Sequence, residues 1–159
     1  GLGYTAVAAL QHPSVGSVTV LELLQPVIEW HRRELVPNGE ILCSDPRCRI
    51  RQGDFFQIVN EGDAGYLGHA ILLDIDHSPS HWLATENGAF YSLPGLKVLA
   101  GRLHPGGVFG LWSNEVLDPD FVTLLTQVFH RVESRVVEFP NPYTGNDVSN
   151  TIYLGFADD

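Results

Sequence analysis

Apolar positions along this chain follow two different periods, one typical of helices and one typical of strands. Residues 25–35 carry an apolar stripe at helical spacing, and Pro26 suits the first turn of a helix. Residues 70–73 instead form an unbroken apolar run that ends at Asp74, as expected for a strand covered on both faces. The pattern predicts helices at 5–11, 25–35, 55–59, 93–103 and 120–129. It predicts strands at 17–21, 47–52, 70–73, 108–112, 131–139 and 150–156.

Helices that alternate with strands predict an α/β fold with a doubly wound, mostly parallel, Rossmann-like sheet. The last two predicted strands flank a loop rich in proline, asparagine and glycine, which favours an antiparallel pair at the edge of the sheet. We expect polar linkers at 36–46 and 60–65 and a tight turn at 104–107. The linker at 75–92 is too long for a simple connector and is a functional candidate.

The chain opens on Gly1-Leu2-Gly3, and a Gly-x-Gly turn of this kind normally follows a buried strand. We therefore expect one domain over residues 1–159 that is incomplete at its amino end and lacks its first strand. In such a sheet, ligands bind beyond the carboxyl ends of the strands. Gly1, Glu22, Asp54 and Asp74 are expected to gather there.

Composition narrows the classes of partner. The chain has 159 residues, of which 44% are hydrophobic and 18% charged, as in a folded globular domain, and no apolar run reaches the ~20 residues needed to span a bilayer. Its net charge of -10 disfavours nucleic acid and anionic membranes and suits a small cationic amine, although acidity that serves only solubility is an open alternative. Two cysteines with no second pair favour free thiols in a cytoplasmic protein.

Glu22 ends a predicted strand about 20 residues after the glycine turn formed by Gly1 and Gly3. In this class of fold, an acidic side chain at that spacing holds a ribose, because its two oxygens accept hydrogen bonds from both ribose hydroxyls. The alternative is an exposed charge at a strand end. Asp54 ends the next strand and suits the exocyclic amine of adenine, with Phe55 beside the base. The alternative for Asp54 is a helix N-cap.

Asp74, Asp76 and His77 follow the most apolar strand. Displacement of a thioether from a sulfonium centre by an amine requires a neutral amine, so a carboxylate must accept or hold its proton. Asp74 is the predicted catalytic residue, and Asp76 either binds a second ammonium or caps the loop. No metal site is predicted, because Pro79 prevents one helix face from presenting both His77 and His81. The remaining histidines are interpreted as surface residues: His12, His31, His69, His104 and His130.

The chain resembles the spermidine synthase family over nearly its whole length. The segments that carry the resemblance, in order, are 1–5, 18–22, 27–29, 45–54, 71–74 and 103–108. The resemblance implies a Rossmann-like sheet of the class I methyltransferase type. It also implies transfer of an aminopropyl group from decarboxylated S-adenosylmethionine to putrescine, with release of methylthioadenosine and without a tightly bound cofactor. By resemblance, Glu22 holds the ribose, Asp54 the adenine, Asp74 is the catalytic aspartate, and Tyr143 lies on the substrate side.

Several positions depart from the family pattern. Leu2 and Tyr4 occupy a turn in which the family carries an aspartate, and His77 stands where a second aspartate belongs. The family's β-rich N-terminal domain is absent from this chain. Two alternatives therefore stay open: a small-molecule methyltransferase that uses S-adenosylmethionine, and a binding module that keeps the adenosine pocket without catalysis. The expected partner is a small amine, and a homodimer is an open possibility.

Overall fold

A computed structural model describes residues 1–61, 65–75, 78–82, 85–143 and 145–159. The chain divides into two compact units, Gly1–Ile58 and Val59–Asp159. Within the described residues, no helix is long and apolar enough to cross a membrane.

The first unit holds a pair of parallel strands with short helices. Its elements are α1 (Tyr4–Leu10), β1 (Val18–Glu22), α2 (Gln25–Arg32), α3 (Gly39–Ser44) and β2 (Cys48–Gln52). Helix α4 (Phe55–Asn60) follows and runs past the boundary between the units. Glu22 lies opposite Gln52 in the register of β1 and β2. The carboxyl ends of both strands therefore meet at one edge.

Helix α3 corrects the sequence interpretation, which placed a polar linker at 36–46. Leu42 of α3 and Ile28 of α2 are each 1% exposed, so the short helix contributes to the core of this unit. Helix α2 also ends at Arg32, three residues before the predicted end at residue 35. The turn-forming residues around Asn38 made this helix of six residues hard to predict from the sequence. A helix this short is stabilised by packing and not by helix propensity.

The second unit is built on a four-stranded mixed sheet. Its elements are β3 (Gly68–Leu73), a short 3-10 helix (Thr85–Ala89), α5 (Leu93–Ala100), β4 (Leu103–Ser113), α6 (Pro119–Thr126), β5 (Arg131–Pro140) and β6 (Asp147–Phe156). The strand order is β3-β4-β6-β5, with β3 and β4 parallel and the other two pairs antiparallel. The prediction of an α/β fold with an antiparallel C-terminal edge pair is confirmed.

The core of this unit lies on β4 and β6. Phe109 and Tyr153 are fully buried, and the Phe109 ring stacks on Phe129 at 6.0 Å between centroids. Phe121 of α6 meets the Tyr153 ring edge to face at 5.1 Å. The Asp118 carboxylate caps α6 by accepting hydrogen bonds from two backbone N–H groups, as its Asp-Pro sequence predicts. These contacts fix the strand ends beyond which ligands bind in α/β sheets.

The structure differs from several local predictions for this unit. The predicted turn at 104–107 lies inside β4, where the register with β3 shifts between Gly68 and Ala70. The turn is thus an irregularity within one strand, with Gly106 at φ 67°. Helix α5 ends at Ala100, earlier than predicted, and α6 ends at Thr126. The linker at 75–92 contains the 3-10 helix, which its sequence pattern did not reveal.

Candidate functional site

The glycine turn at the start of the chain is a tightly packed feature of the first unit. Gly3 has φ 82°, in the left-handed region that glycine adopts at little cost. A Cβ at this position would clash with Leu42 Cδ1. The Gly3 carbonyl accepts the Val7 N–H at 3.0 Å and so begins α1. Both the conformation and the packing therefore require glycine here.

Two buried side chains hold the carbonyls of this turn. His31 Nε2 donates to the Gly1 carbonyl oxygen at 2.8 Å, and Asn38 Nδ2 donates to that of Leu2 at 2.9 Å. His31 is 3% exposed, so its interpretation as a surface residue was wrong. Sequence reasoning missed both residues. A signal for His31 did exist, because it follows Ile28 by about one helical turn, and these two are the buried residues of α2.

The Glu22 carboxylate lies beside the glycine turn. One oxygen, Oε1, accepts the Leu24 N–H at 2.9 Å, and the other accepts a hydrogen bond from the amino group of Gly1. The side chain is only 13% exposed. Burial acts to raise the pKa of Glu22, and hydrogen bonds, among them the one from the Leu24 N–H, hold the pKa below its ordinary value. Glu22 is thus an ionised acceptor next to the turn, and ribose binding stays a prediction for this residue.

Asp54 occupies the neighbouring position on the same edge. The Gly53 N–H donates to the Glu22 carbonyl oxygen at 3.1 Å, which sets the end of β2 against the end of β1. Asp54 Oδ1 accepts the N–H groups of Phe56 and Gln57 at 2.8 and 3.2 Å, so Asp54 caps α4. The cap is therefore real, and adenine binding stays a prediction for this residue. Phe55, which is half-buried, contacts the Phe56 ring edge to face.

In the second unit, Asp74 directly follows β3 and is exposed. Because Leu73 lies opposite Leu111, Asp74 shares its end of the sheet with the end of β4. Tyr143 lies in the β5–β6 hairpin loop at that same end, since β6 is antiparallel to β4, and its side chain is 96% exposed. Asp76 and His77 lie outside the described residues. The roles of Asp74, Asp76 and Tyr143 stay predictions.

A polar cluster beyond β3 and β4 was not predicted from the sequence. His81 Nδ1 lies 2.6 Å from Glu115 Oε1, and Ser80 Oγ donates to Glu115 Oε2 at 2.9 Å. The Glu115 carbonyl oxygen accepts the Thr151 hydroxyl at 2.9 Å, which ties the residue to β6. The signal for Glu115 was available: it comes shortly after an apolar strand, as Asp74 does.

Two hydroxyl groups and one imidazole favour the ionised form of the Glu115 carboxylate. Hydrogen bonding from Ser78 lowers the pKa of Glu115 most, burial acts in the opposite direction, and Ser80 and His81 lower it further. Within the described residues, no group of three or more His, Cys, Asp or Glu side chains is arranged to hold a metal ion.

The lowered pKa of Glu115 gives a testable pH dependence. A carboxyl group whose pKa is lower in the folded state stabilises the fold above its unfolded pKa, near 4.5, and this stabilisation disappears as the pH falls through the folded pKa. We expect Glu115→Gln to lower the unfolding free energy at pH 7 by about 1 kcal/mol or less, because the pair is exposed, and by less still at pH 3. Urea unfolding of both proteins at the two pH values measures this. An equal or larger difference at pH 3 would contradict it.

Solved structures provide the comparison with known proteins, since no protein-family model and no curated protein sequence matches the chain. Spermidine synthase from Thermotoga maritima is similar with a TM-score of 0.70 and 17% identity, over 98% of this chain and 49% of that protein. A spermidine synthase in complex with the transition-state analogue AdoDATO has a TM-score of 0.71 and 19% identity, over 98% and 51%.

A methyltransferase is similar as well. The 1,6-didemethyltoxoflavin-N1-methyltransferase of Burkholderia thailandensis, solved with S-adenosylhomocysteine, has a TM-score of 0.63 and 16% identity, over all of this chain and 68% of that protein. The chain spans about half the length of the two spermidine synthases. At these identities the comparisons establish the fold, which is that of the class I methyltransferases.

Proposed function

We propose that this chain is a spermidine synthase-like transferase that moves an aminopropyl group from decarboxylated S-adenosylmethionine to a polyamine such as putrescine. The observation that carries the proposal is the Glu22 carboxylate, which is ionised, mostly buried and held beside a glycine turn at the end of a parallel strand. Folds of this kind bind the ribose of a nucleotide ligand with an acidic residue in that position.

The proposal assigns the adenosine part of the donor to residues of the first unit. Gly1 and Gly3 are assigned to the turn that receives the ligand, with Gly1 open to its approach and Gly3 packed against Leu42. The two oxygens of Glu22 accept the ribose hydroxyls. Asp54 has one oxygen engaged in the α4 cap, and its second oxygen, Oδ2, takes no part in that cap. We assign Oδ2 to the exocyclic amine of adenine and Phe55 to contact with the base.

Asp74 is assigned to the transfer step. The nitrogen lone pair of the acceptor attacks the carbon next to the sulfonium, the carbon–sulfur bond breaks, and its electron pair remains on the neutral thioether of methylthioadenosine. Asp74 holds the reacting amine in line with the bond that breaks, and positioning of this kind accounts for much of the rate. Asp76 and Tyr143 are assigned to the remainder of the polyamine, and the net charge of -10 favours a cationic acceptor.

A second candidate is a methyltransferase that uses S-adenosylmethionine itself. The specific observation in its favour is the uncharged pair Leu2 and Tyr4 in the glycine turn, because a turn without an aspartate tolerates the carboxylate of that donor. A third candidate, an adenosine-binding module without catalysis, predicts binding of methylthioadenosine but no turnover.

Calorimetry and a transfer assay separate these candidates. The purified chain is titrated with decarboxylated S-adenosylmethionine, S-adenosylmethionine and methylthioadenosine, and each donor is then incubated with putrescine. Tighter binding of the decarboxylated donor, with spermidine as product, supports the proposal. Preference for S-adenosylmethionine with N-methylputrescine as product supports the methyltransferase. Failure to bind any of the three ligands contradicts all of these candidates.

Glu22→Gln should weaken the binding of methylthioadenosine by roughly 10- to 100-fold, since hydrogen bonds to a charged acceptor contribute about 1.5–3 kcal/mol. Glutamine keeps the size of the side chain but only one acceptor oxygen. Calorimetry measures the change. Glu29→Gln is the matched control, because Glu29 is an exposed residue of α2 that pairs with Arg32, and its affinity should match the wild type. Equal affinities for Glu22→Gln and the wild type would contradict the ribose assignment.

A further inference from the structure

His81 and Glu115 form a pair in which a carboxylate orients an imidazole. The Nδ1 atom of His81 lies 2.6 Å from Glu115 Oε1, within hydrogen-bond distance. The His81 side chain is 79% exposed. With Nδ1 as the donor to Glu115, Nε2 is left as the basic nitrogen of the neutral ring.

The loop that carries His81 is held in place by several contacts. Ser78 is 2% exposed, and its hydroxyl oxygen accepts the His81 N–H at 3.0 Å. The indole Nε1–H of Trp82 donates to the Pro79 carbonyl oxygen at 2.7 Å. The Trp82 ring packs against Gly88 so closely that a Cβ there would lie 2.8 Å from Trp82 Cζ3. The backbone around His81 is thus fixed on both sides of the residue.

Glu115 is equally well fixed from β4 and β6. Its N–H donates to Ser113 Oγ at 3.3 Å, and its carbonyl oxygen accepts the Thr151 hydroxyl. Ser113 and Thr151 are 1% and 0% exposed, so these anchors lie in the core. A carboxylate with a fixed backbone sets the ring orientation and the tautomer of the histidine beside it, and it stabilises the imidazolium that forms when the ring takes up a proton.

Two acidic residues also lie at the wall of an open, mostly apolar cavity next to this loop. Pro79, two residues before His81, lines a cavity of about 330 Å³ together with Tyr91, Asp118 and Asp120. An open cavity with two carboxylates at its wall suits a small cationic molecule.

We propose that His81, oriented by Glu115, is the general base that removes a proton from the acceptor nucleophile during group transfer. This inference rests on the proposed function and identifies the proton acceptor of its chemical step. The nitrogen of the acceptor forms a bond to the transferred carbon, and the carbon–sulfur bond of the donor breaks with its electron pair on sulfur. The proton of that nitrogen passes to His81 Nε2, and Glu115 pairs with the resulting imidazolium.

The pair divides the work with Asp74. An imidazole is intrinsically a stronger base than a carboxylate. Asp74 is better suited to pair with an ammonium group, and His81 to accept a proton. Asp74 follows β3, and Glu115, the partner of His81, follows β4. These two strands end at the same side of the sheet.

His81→Ala should lower kcat for transfer to putrescine roughly 100-fold, within the range for loss of a general base, and should leave methylthioadenosine affinity within about twofold of the wild type. Added imidazole should restore at least about a tenth of the lost rate, because a free imidazole can occupy the vacated space. Glu115→Gln should lower kcat by at least about 10-fold, since glutamine lacks the charge that stabilises the imidazolium and can present its N–H to His81 Nδ1, which favours the wrong tautomer.

His130→Ala is the matched control. His130 also pairs with a carboxylate, that of Asp158 at 3.6 Å, but it lies at the opposite end of the sheet. Its kcat should equal that of the wild type. Thermal unfolding of every variant shows whether a loss of rate comes from a loss of folded protein.

The outcomes separate this inference from the proposed function. If wild-type turnover is observed and His81→Ala keeps kcat within about threefold, the inference is wrong and the proposed function stands. Activity that is lost in His81→Ala and that imidazole does not restore overturns the inference as well, because a purely structural role of the His81–Glu115 pair predicts that result. If the wild type transfers no group from either donor to putrescine, the proposed transferase function fails and the inference fails with it.

Discussion

Asp74→Asn is expected to reduce kcat/KM for aminopropyl transfer by roughly 100-fold or more while methylthioadenosine binds as before. Asparagine has nearly the size of aspartate, and the preceding Leu73 is 4% exposed, so the strand end should keep its position. The amide carries no charge and therefore cannot pair with the ammonium form of the acceptor or hold its proton. Steady-state kinetics with decarboxylated S-adenosylmethionine and putrescine, together with calorimetry, measure the two effects separately.

A matched aspartate provides the control for this experiment. Asp158 is 85% exposed, and its carbonyl oxygen accepts the Gly106 N–H near the start of β4, at the end of the strands opposite Asp74. Asp158→Asn removes the same charge from the protein without touching the strand ends, and its kinetics should match the wild type. Retention of full activity by Asp74→Asn would show that the catalytic assignment is wrong. An equal loss in both variants would assign the effect to net charge.

The strands of this fold were the features most readily predicted from the sequence. The apolar run at 70–73 and the paired segments at 131–139 and 150–156 lie within β3, β5 and β6. The prediction that the strand at 70–73 is covered on both faces was wrong, because Leu72 is 49% exposed while Ile71 and Leu73 are buried. Helix ends were less predictable. The apolar stripe of α2 continues to Leu35, although the helix itself stops at Arg32. Short elements such as α3 have too few positions to display a period.

The residues of the candidate site also differ in how far the sequence could predict them. The position of Glu22 beside the glycine turn could be predicted, because the strand end and its spacing from the glycines can both be read from the sequence. His31 could not be identified as a support of that turn, because its contact with the Gly1 carbonyl joins residues 30 positions apart. The pairing of Glu115 was missed for the same reason. Its partner His81 lies 34 residues earlier, and only the parallel register of β3 and β4 brings their loops to one end of the sheet.

The hydrogen bonds that hold the glycine turn also help to position the Glu22 carboxylate in the first unit. Burial of Glu22 acts against its charged form, and the surrounding hydrogen bonds reverse this effect. The Gly1 nitrogen that donates to Glu22 and the carbonyl oxygens that accept from His31 and Asn38 belong to the same short stretch of backbone. A change in the turn conformation should therefore act on stability and on ligand binding together.

Gly3→Ala tests this coupling and is expected to destabilise the chain by about 2–5 kcal/mol. A left-handed backbone costs a residue with a Cβ about 1–2 kcal/mol, and forcing an extra carbon into a packed core costs about 1–3 kcal/mol. The new methyl group would press on Leu42 Cδ1 and approach the His31 ring at 3.2 Å. Affinity for methylthioadenosine should fall by at least about 10-fold in the fraction that remains folded, because the carbonyls of Gly1 and Leu2 would shift from their donors.

Urea unfolding and calorimetry measure the two effects, and Gly16→Ala serves as the matched control. Gly16 lies in the same unit and has no positive φ, and a Cβ added to it would meet no atom of a non-adjacent residue within 4 Å. Its replacement should change the unfolding free energy by no more than about 0.5 kcal/mol and leave the affinity unaltered. If Gly3→Ala unfolds at the same urea concentration as Gly16→Ala, the turn is not held as tightly as its packing indicates. If it loses stability but binds methylthioadenosine normally, the turn supports the fold and does not contact the donor.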